Sequence, residues 1–547
     1  MVQLISMFGI LVVLLRAAIL CLQTVAAGGT VFLTVVARRK EERSDALLNS
    51  SWNLIRRSAV GLALAQLLFV VANSFVLVYS TGIPLAAVLG ADFIWAAVLA
   101  MAGAVALACW PEAWRRTGNL LCIVPAAMMV AASVATSHAA SRMEGRGLLV
   151  TLTSLHYIAT ASWLGGLPYL LLAAKRISND QARKETLRRF SLLAQVSVAV
   201  LFLAGFGMSC VYVGSWDALY GTAYGVMLGA KISLSLVLLL LGAANYFIVR
   251  GISTDTGTPG TKSLLRFGEA EIGIGLSVIL AATSMTSQPP SVDMAQDRVS
   301  VREIVERFAP RMPRLSSPGV KEISPTMDVL LKRAAAEGKA VPSTFVPGRT
   351  GFNTNTPADK AWSEYNHNCA GLVVFLMGIL ALLSRSRYFS WAKIWPLAFL
   401  LLALFLFFRA DPESWPMGTN GFWESLAVAD VLQHRAAVVL IVVFAIFQYR
   451  VETQRVKSAA AALVFPGVCA IGGLVLLTHT HALVNVKDEL LVELSHTPLA
   501  VLGILAGWSR WLELRLPQEN ATRKYLAWVW PACFILVGLI LMDYHEG

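Results

Sequence analysis

Charge is scarce in this chain. Only 14% of its 547 residues are Asp, Glu, Lys or Arg, whereas 56% are hydrophobic and the mean hydropathy is +0.64. Soluble domains carry about 25% charged residues, so a water-soluble fold is excluded. The seven cysteines, Cys21, Cys109, Cys122, Cys210, Cys369, Cys469 and Cys533, form no CxxC pair. Most lie in apolar runs, where cysteine acts as a small hydrophobe, and none is assigned to a disulfide. Cys210 and Cys369 lie nearest the outer side and are the weak candidates for soft-metal contact. There is no GxxxxGK[ST] loop, no CPC-type membrane motif and no phosphorylated-Asp signature. ATP-driven work by this chain alone is therefore not expected, and no catalytic residue is assigned.

What remains is apolar sequence in long runs. About fourteen reach the roughly 20 residues that span hydrocarbon: 8–37, 57–80, 84–109, 119–140, 149–174, 190–214, 223–249, 267–287, 364–384, 391–409, 431–449, 459–480, 491–513 and 525–543. The expected fold is an all-α polytopic membrane protein. The first run has no Lys or Arg ahead of it and exceeds signal-peptide length, so it is expected to be a retained helix.

Orientation follows from the short loops, since Lys and Arg concentrate on the cytoplasmic side. Alternate loops hold Arg38, Arg39, Lys40, Arg43, Arg56 and Arg57; Arg115 and Arg116; Lys175, Arg176, Arg183, Lys184, Arg188 and Arg189; Arg250, Lys262 and Arg266; and similar sets in the second half. The intervening loops, such as STGIP and GSWDALYGTAYG, are nearly free of cations. Both termini are thus expected on the periplasmic side of a bacterial inner membrane. The net charge of +12 is absorbed by this bias, leaving lipid as the expected partner and no reason to invoke nucleic acid.

One hydrophilic stretch interrupts the pattern. It is rich in PP, SSP, ISP, VPS and TNTP, and short helices are expected within it at 298–308 and 324–338. The chain divides around it into an eight-helix domain at 1–288, a periplasmic loop at 289–362 and a six-helix domain at 363–547.

Histidine is rare as well, and its eight copies are not scattered. His138, His156, His367, His434, His479, His481, His496 and His545 all fall at, or within a turn or two of, the expected outer helix ends. Imidazole is a common metal ligand suited to copper, zinc and iron.

Residues 149–290 carry an ordered set of motifs. SLHYIATASWLGGL is followed by RRFS, then by YGVMLGAK with a trailing GAAN, then by RFGEAE. This series resembles the CopD/PcoD family of bacterial copper-resistance and copper-import membrane proteins. The matching positions are His156, Trp163, Gly165, Gly166, Arg189, Phe190, Ser191, Tyr224, Gly225, Lys231, Gly242, Asn245, Arg266 and Glu271. The resemblance implies copper as the cargo, a periplasmic carrier of the CopC type as a partner, and His156 as a functional residue. The second half looks similar to extensions found on some members.

Copper transfer needs ligands that bind and release. Neutral His and Met suit it, with Met favouring Cu(I). The candidates in the first half are His138, His156, Met143, Met208 and Met285, with Met227 nearby. Those in the second half are His367, His434, His479, His481 and His496. Of these, His434, His479, His481 and His496 are expected to converge on one metal or haem site. His479 and His481 diverge by about 200° on a regular helix and share a metal only if it unwinds. Four intramembrane charges, Arg16, Asp92, Lys231 and Glu271, are candidates for a gated or proton-coupled path, with Asp92 and Lys231 placed about two turns in. Gly165 and Gly166 are assigned to close helix packing beside Trp163. The leading reading is copper transport or handling as Cu(I) or Cu(II). The alternatives are a b-type haem electron-transfer protein and a factor delivering copper to an oxidase.

Overall fold

A computed structural model describes residues 8–39, 42, 44–117, 120–251, 259–294, 298–323, 356–426, 429–479 and 487–546. Within them, strand pairing is confined to an isolated bridge between Ser414 and Asn420. Each of the fourteen apolar runs falls on helix. Ten stretches are long and apolar enough to cross a membrane, and Asp92–Ala108 and Leu120–Ala135 are shorter apolar helices. The other two runs fall on Pro259–Met285 and Lys487–Arg515, long helices that carry buried acids, Glu271 in one and Glu493 and Glu513 in the other. Helix is the required outcome, because backbone groups in hydrocarbon must find partners within their own segment.

The described chain forms two compact units. The first contains α1 (Phe8–Val31, drawn on by a π-helical turn at Phe32–Val36), α2 (Asp45–Thr81), α3 (Asp92–Ala108), α4 (Ile123–Ala135), α5 (Arg146–Trp163), α6 (Leu167–Arg176), α7 (Asp180–Tyr212), α8 (Ala223–Gly251) and α9 (Pro259–Met285). α1 is the central member and touches α2, α4, α5 and α9. α2 starts a dozen residues before its apolar run at 57. Ser44 caps it by accepting from the Leu47 amide, and Leu47, Leu48, Trp52 and Ile55 give this extra turn length a buried face. Conversely, α3 starts only at Asp92, after a separate short helix Leu85–Leu89 and a turn at Gly90. Asp92 is therefore the exposed first residue of its helix, not a residue two turns inside it.

The cation-rich end of this unit is tied by an ion network. Arg189 donates to both carboxylate oxygens of Glu42, at 2.7 and 2.9 Å, and the Glu42 side chain is 1% exposed. Arg39 and Arg189 both reach Glu185.

The second unit contains α10 (Pro357–Leu383), a 3-10 stretch Arg387–Leu397, α11 (Ala398–Arg409), α12 (Ala429–Glu452), α13 (Val464–His479), α14 (Lys487–Arg515) and α15 (Thr522–Met542). Glycines set the contact of α10 with α15: a Cβ on Gly538 would lie 2.4 Å from the Phe375 nitrogen. Trp395, Phe465 and Trp530 fill the core, each 1% exposed or less. Glu513 accepts from Arg385, Arg510 and the Trp530 indole. A short helix, Val301–Arg307, is fixed by a capping box of Ser300 and Glu303, at the position expected for the first helical piece of the hydrophilic stretch. The second piece, at 324–338, lies outside the described residues.

Candidate metal-handling site

The WLGGL motif is a break in a helix. α5 ends at Trp163 and α6 starts at Leu167, with Leu164, Gly165 and Gly166 forming a turn between them. The break lies against α1. A Cβ on Gly165 would sit 2.0 Å from the Thr24 carbonyl oxygen, and one on Gly166 would sit 2.5 Å from the Phe190 ring. The Gly-Gly pair thus meets the RFS motif, and the Tyr169 hydroxyl donates to the Val25 carbonyl just beyond it.

A second group of motif residues closes around a buried acid. Glu271 of α9 is 2% exposed and accepts from the Asn245 amide of α8. A Cβ on Gly242 would lie 3.1 Å from Glu271 Oε1 and 3.8 Å from the Trp163 ring. Trp163, Gly242, Asn245 and Glu271, widely spaced in sequence, therefore share one pocket of contacts. The missing side chain at Gly242 is what leaves room for the carboxylate. Gly242→Ala should leave the protein inserted while reducing copper-dependent function, because Glu271 must move by a few tenths of an ångström. Copper accumulation at matched expression is the check, and wild-type accumulation would contradict it.

His156 lies ten residues after the start of α5 at Arg146, about 15 Å along the axis at 1.5 Å per residue. It is therefore deeper than the turn or two expected. Its Nδ1 has no hydrogen-bond partner. The ring faces Gly205 of α7, with Cε1 3.8 Å from where a Cβ would be. One turn earlier on α5, the Thr153 hydroxyl donates to the sulfur of Met208, 3.4 Å away and one turn beyond Gly205. An imidazole and a thioether thus occupy facing helices within a turn of each other. Lys231 of α8, eight residues after Ala223, is the charged group acting on His156.

His138 opens a short helix, His138–Ser141, at the other end of the unit from the arginine network. Its ring meets Tyr212 edge-on at 6.4 Å and hydrogen-bonds the backbone of Thr286, beside the buried Met285. Its Nε2 is unpartnered. Burial lowers its pKa, and the positive charges of Arg16 and Arg142 act in the same direction. A neutral imidazole is the form that ligates metal. Arg142 lies over the Tyr212 ring and pairs with Asp293 at 2.7 Å. Arg16 sits 5.6 Å over Phe69. Met143 is 97% exposed on its loop and Met227 is fully buried.

In the second unit His434 pairs with Asp411 at 2.7 Å, whereas His496 packs against His367 and Tyr544. His481 and the side chain of His479 lie outside the described residues. Of the four histidines expected to converge, the two described ones are thus each engaged with other partners. Among the described residues, no group of three or more His, Cys, Asp or Glu side chains is arranged to hold a metal ion. Tyr212, Asp293, Asp411 and Tyr544 were not singled out in the sequence. Only Asp411, an acid amid FFRADPESW, carried a local signal.

These features are compatible with a multi-pass membrane protein. Residues 184–285 match the family model described as copper resistance protein D, CopD. The chain is also similar to the copper transport protein CutJ of Bacillus subtilis (strain 168), with 30% identity over 172 residues, 31% of this chain and 30% of that protein. It thus spans less than a third of the length of that relative. No solved structure matches. Within its first unit, the chain is thus similar to copper-resistance and copper-transport membrane proteins over residues 184–285.

Proposed function

We propose that the chain carries copper across the bacterial inner membrane, as a transporter-type protein and not an enzyme, from an entry at His138 past Met208 and His156. The observation that carries this reading is the unpartnered Nδ1 of His156 beside the Met208 helix, in a unit whose residues 184–285 match a copper-resistance family. A buried imidazole nitrogen without a partner costs stability, which a ligand recovers. His and Met are both neutral, so copper can be bound and released without stranding a charge. Entry from the periplasmic side, delivery by a CopC-type carrier, and periplasmic termini are parts of the same proposal, as is the division into an eight-helix copper domain, a periplasmic loop and a six-helix domain. Glu271, held by Asn245 against Trp163, is the group placed to couple a proton to passage.

The test is copper entry into proteoliposomes containing the purified chain, read with a lumenal copper indicator. Uptake above that of protein-free vesicles is expected. Tight copper binding with no entry would favour delivery to another protein and overturn transport.

A further inference from the structure

The second unit holds a cluster that the His138–His156 track does not use. α10, α14 and the segment after α15 bring His367, His496 and Tyr544 together. The His367 ring stacks on Tyr544 with centroids 4.0 Å apart and planes inclined by 29°. His496 stands nearly perpendicular to both, 5.6 Å from His367 and 5.7 Å from Tyr544.

The tautomer of His367 follows from its partner. Its Nδ1 lies 2.9 Å from the Ser363 carbonyl oxygen. A carbonyl only accepts, so Nδ1 carries the proton and Nε2 keeps its lone pair. This is the usual arrangement behind a metal-ligating histidine. The Ser495 hydroxyl lies 3.4 Å from Nδ1 of His496. Tyr544 is fixed on several sides: its hydroxyl donates to Glu546 at 3.0 Å, and Arg307 lies 5.1 Å over its ring. Burial pushes its phenol well up, so it stays a neutral donor. A cavity of about 430 Å³, lined by Arg307, Ser495 and Tyr544 among others, opens beside the group.

We infer that His367 and His496 form a two-imidazole binding site for a copper ion in the second unit, separate from the track in the first. Metal–nitrogen bonds of ~2 Å place each ring centre about 3.2 Å from the ion. The observed 5.6 Å between rings then corresponds to a nitrogen–metal–nitrogen angle of about 120°. That is a bent site with open positions, suited to accepting and passing on an ion. Copper heads the affinity order among divalent first-row metals for such ligands. A haem between the two rings would need them in line on opposite faces of a flat macrocycle, with ring centres about 6.4 Å apart, farther than the 5.6 Å observed. Tyr544 is a positioning residue here, holding His367 by its face, and the nearby carboxylate of Glu546 offsets the charge of the ion.

The test uses the full chain in detergent with His138 and His156 both replaced by alanine, titrated with Cu(II) and followed by calorimetry and electron paramagnetic resonance. One copper with nitrogen hyperfine structure should remain. Adding His367→Ala or His496→Gln should weaken it on the order of tenfold or more. Tyr544→Phe should keep it and Tyr544→Ala weaken it. Unchanged affinity in a folded His367→Ala or His496→Gln variant would overturn the inference, as would a Soret band in the protein as purified. Loss of uptake with this site intact would count against the first-unit reading alone.

Discussion

Replacing His156 by alanine should reduce copper accumulation on the order of 10–100-fold, the scale seen when even a residue supporting a metal ligand is removed. The protein should still insert and fold. On the α7 side, Gly205 faces this ring without a side chain. His156→Met should retain part of the function, since a thioether opposite Met208 still offers two soft donors. Whole-cell copper measured by mass spectrometry at matched protein level is the readout. Wild-type accumulation in His156→Ala would sink the role given to this residue.

Replacing Gly166 by leucine should abolish folded protein. Even a Cβ there would lie 2.5 Å from the Phe190 ring and equally close to the Ser162 carbonyl oxygen. Overpacking a core costs about 1–3 kcal/mol, and more where the neighbour is backbone that cannot swing away. Gly165 is tighter still, at 2.0 Å from the Thr24 carbonyl. Fluorescence-detected size exclusion of a tagged chain reads the loss directly. Gly166→Ala should be milder and partly rescued by Phe190→Leu, because the two side chains contest the same space. A monodisperse, copper-competent Gly166→Leu protein would refute the packing role.

Much of the helical plan was legible because apolar runs of membrane length have few other fates. Details at helix ends were not. The run at 149–174 reads as one helix, and its break at Gly165, closely packed on Thr24 of α1, appears only in the fold. Asp92 reads as intramembrane until Gly90 ends the preceding turn and makes it a helix start. The motif residues were visible, but their convergence was not: Trp163, Gly242, Asn245 and Glu271 meet through packing of α5, α8 and α9. The pairing of His496 with His367, rather than with His434, likewise depends on which helices are neighbours. Spacing along the chain holds no information about that.

The two ion clasps of the first unit differ in their access to water. The Arg142–Asp293 pair has side chains 26% and 50% exposed, whereas Glu42, held by Arg189, is at 1%. Dissolved ions screen exposed charges over about 8–10 Å at ordinary salt and reach buried pairs far less. Ionic strength is therefore a selective lever on this unit: raising it slackens the Arg142–Asp293 pair and the exposed Arg39–Glu185 pair, while the Arg189–Glu42 pair stays clamped.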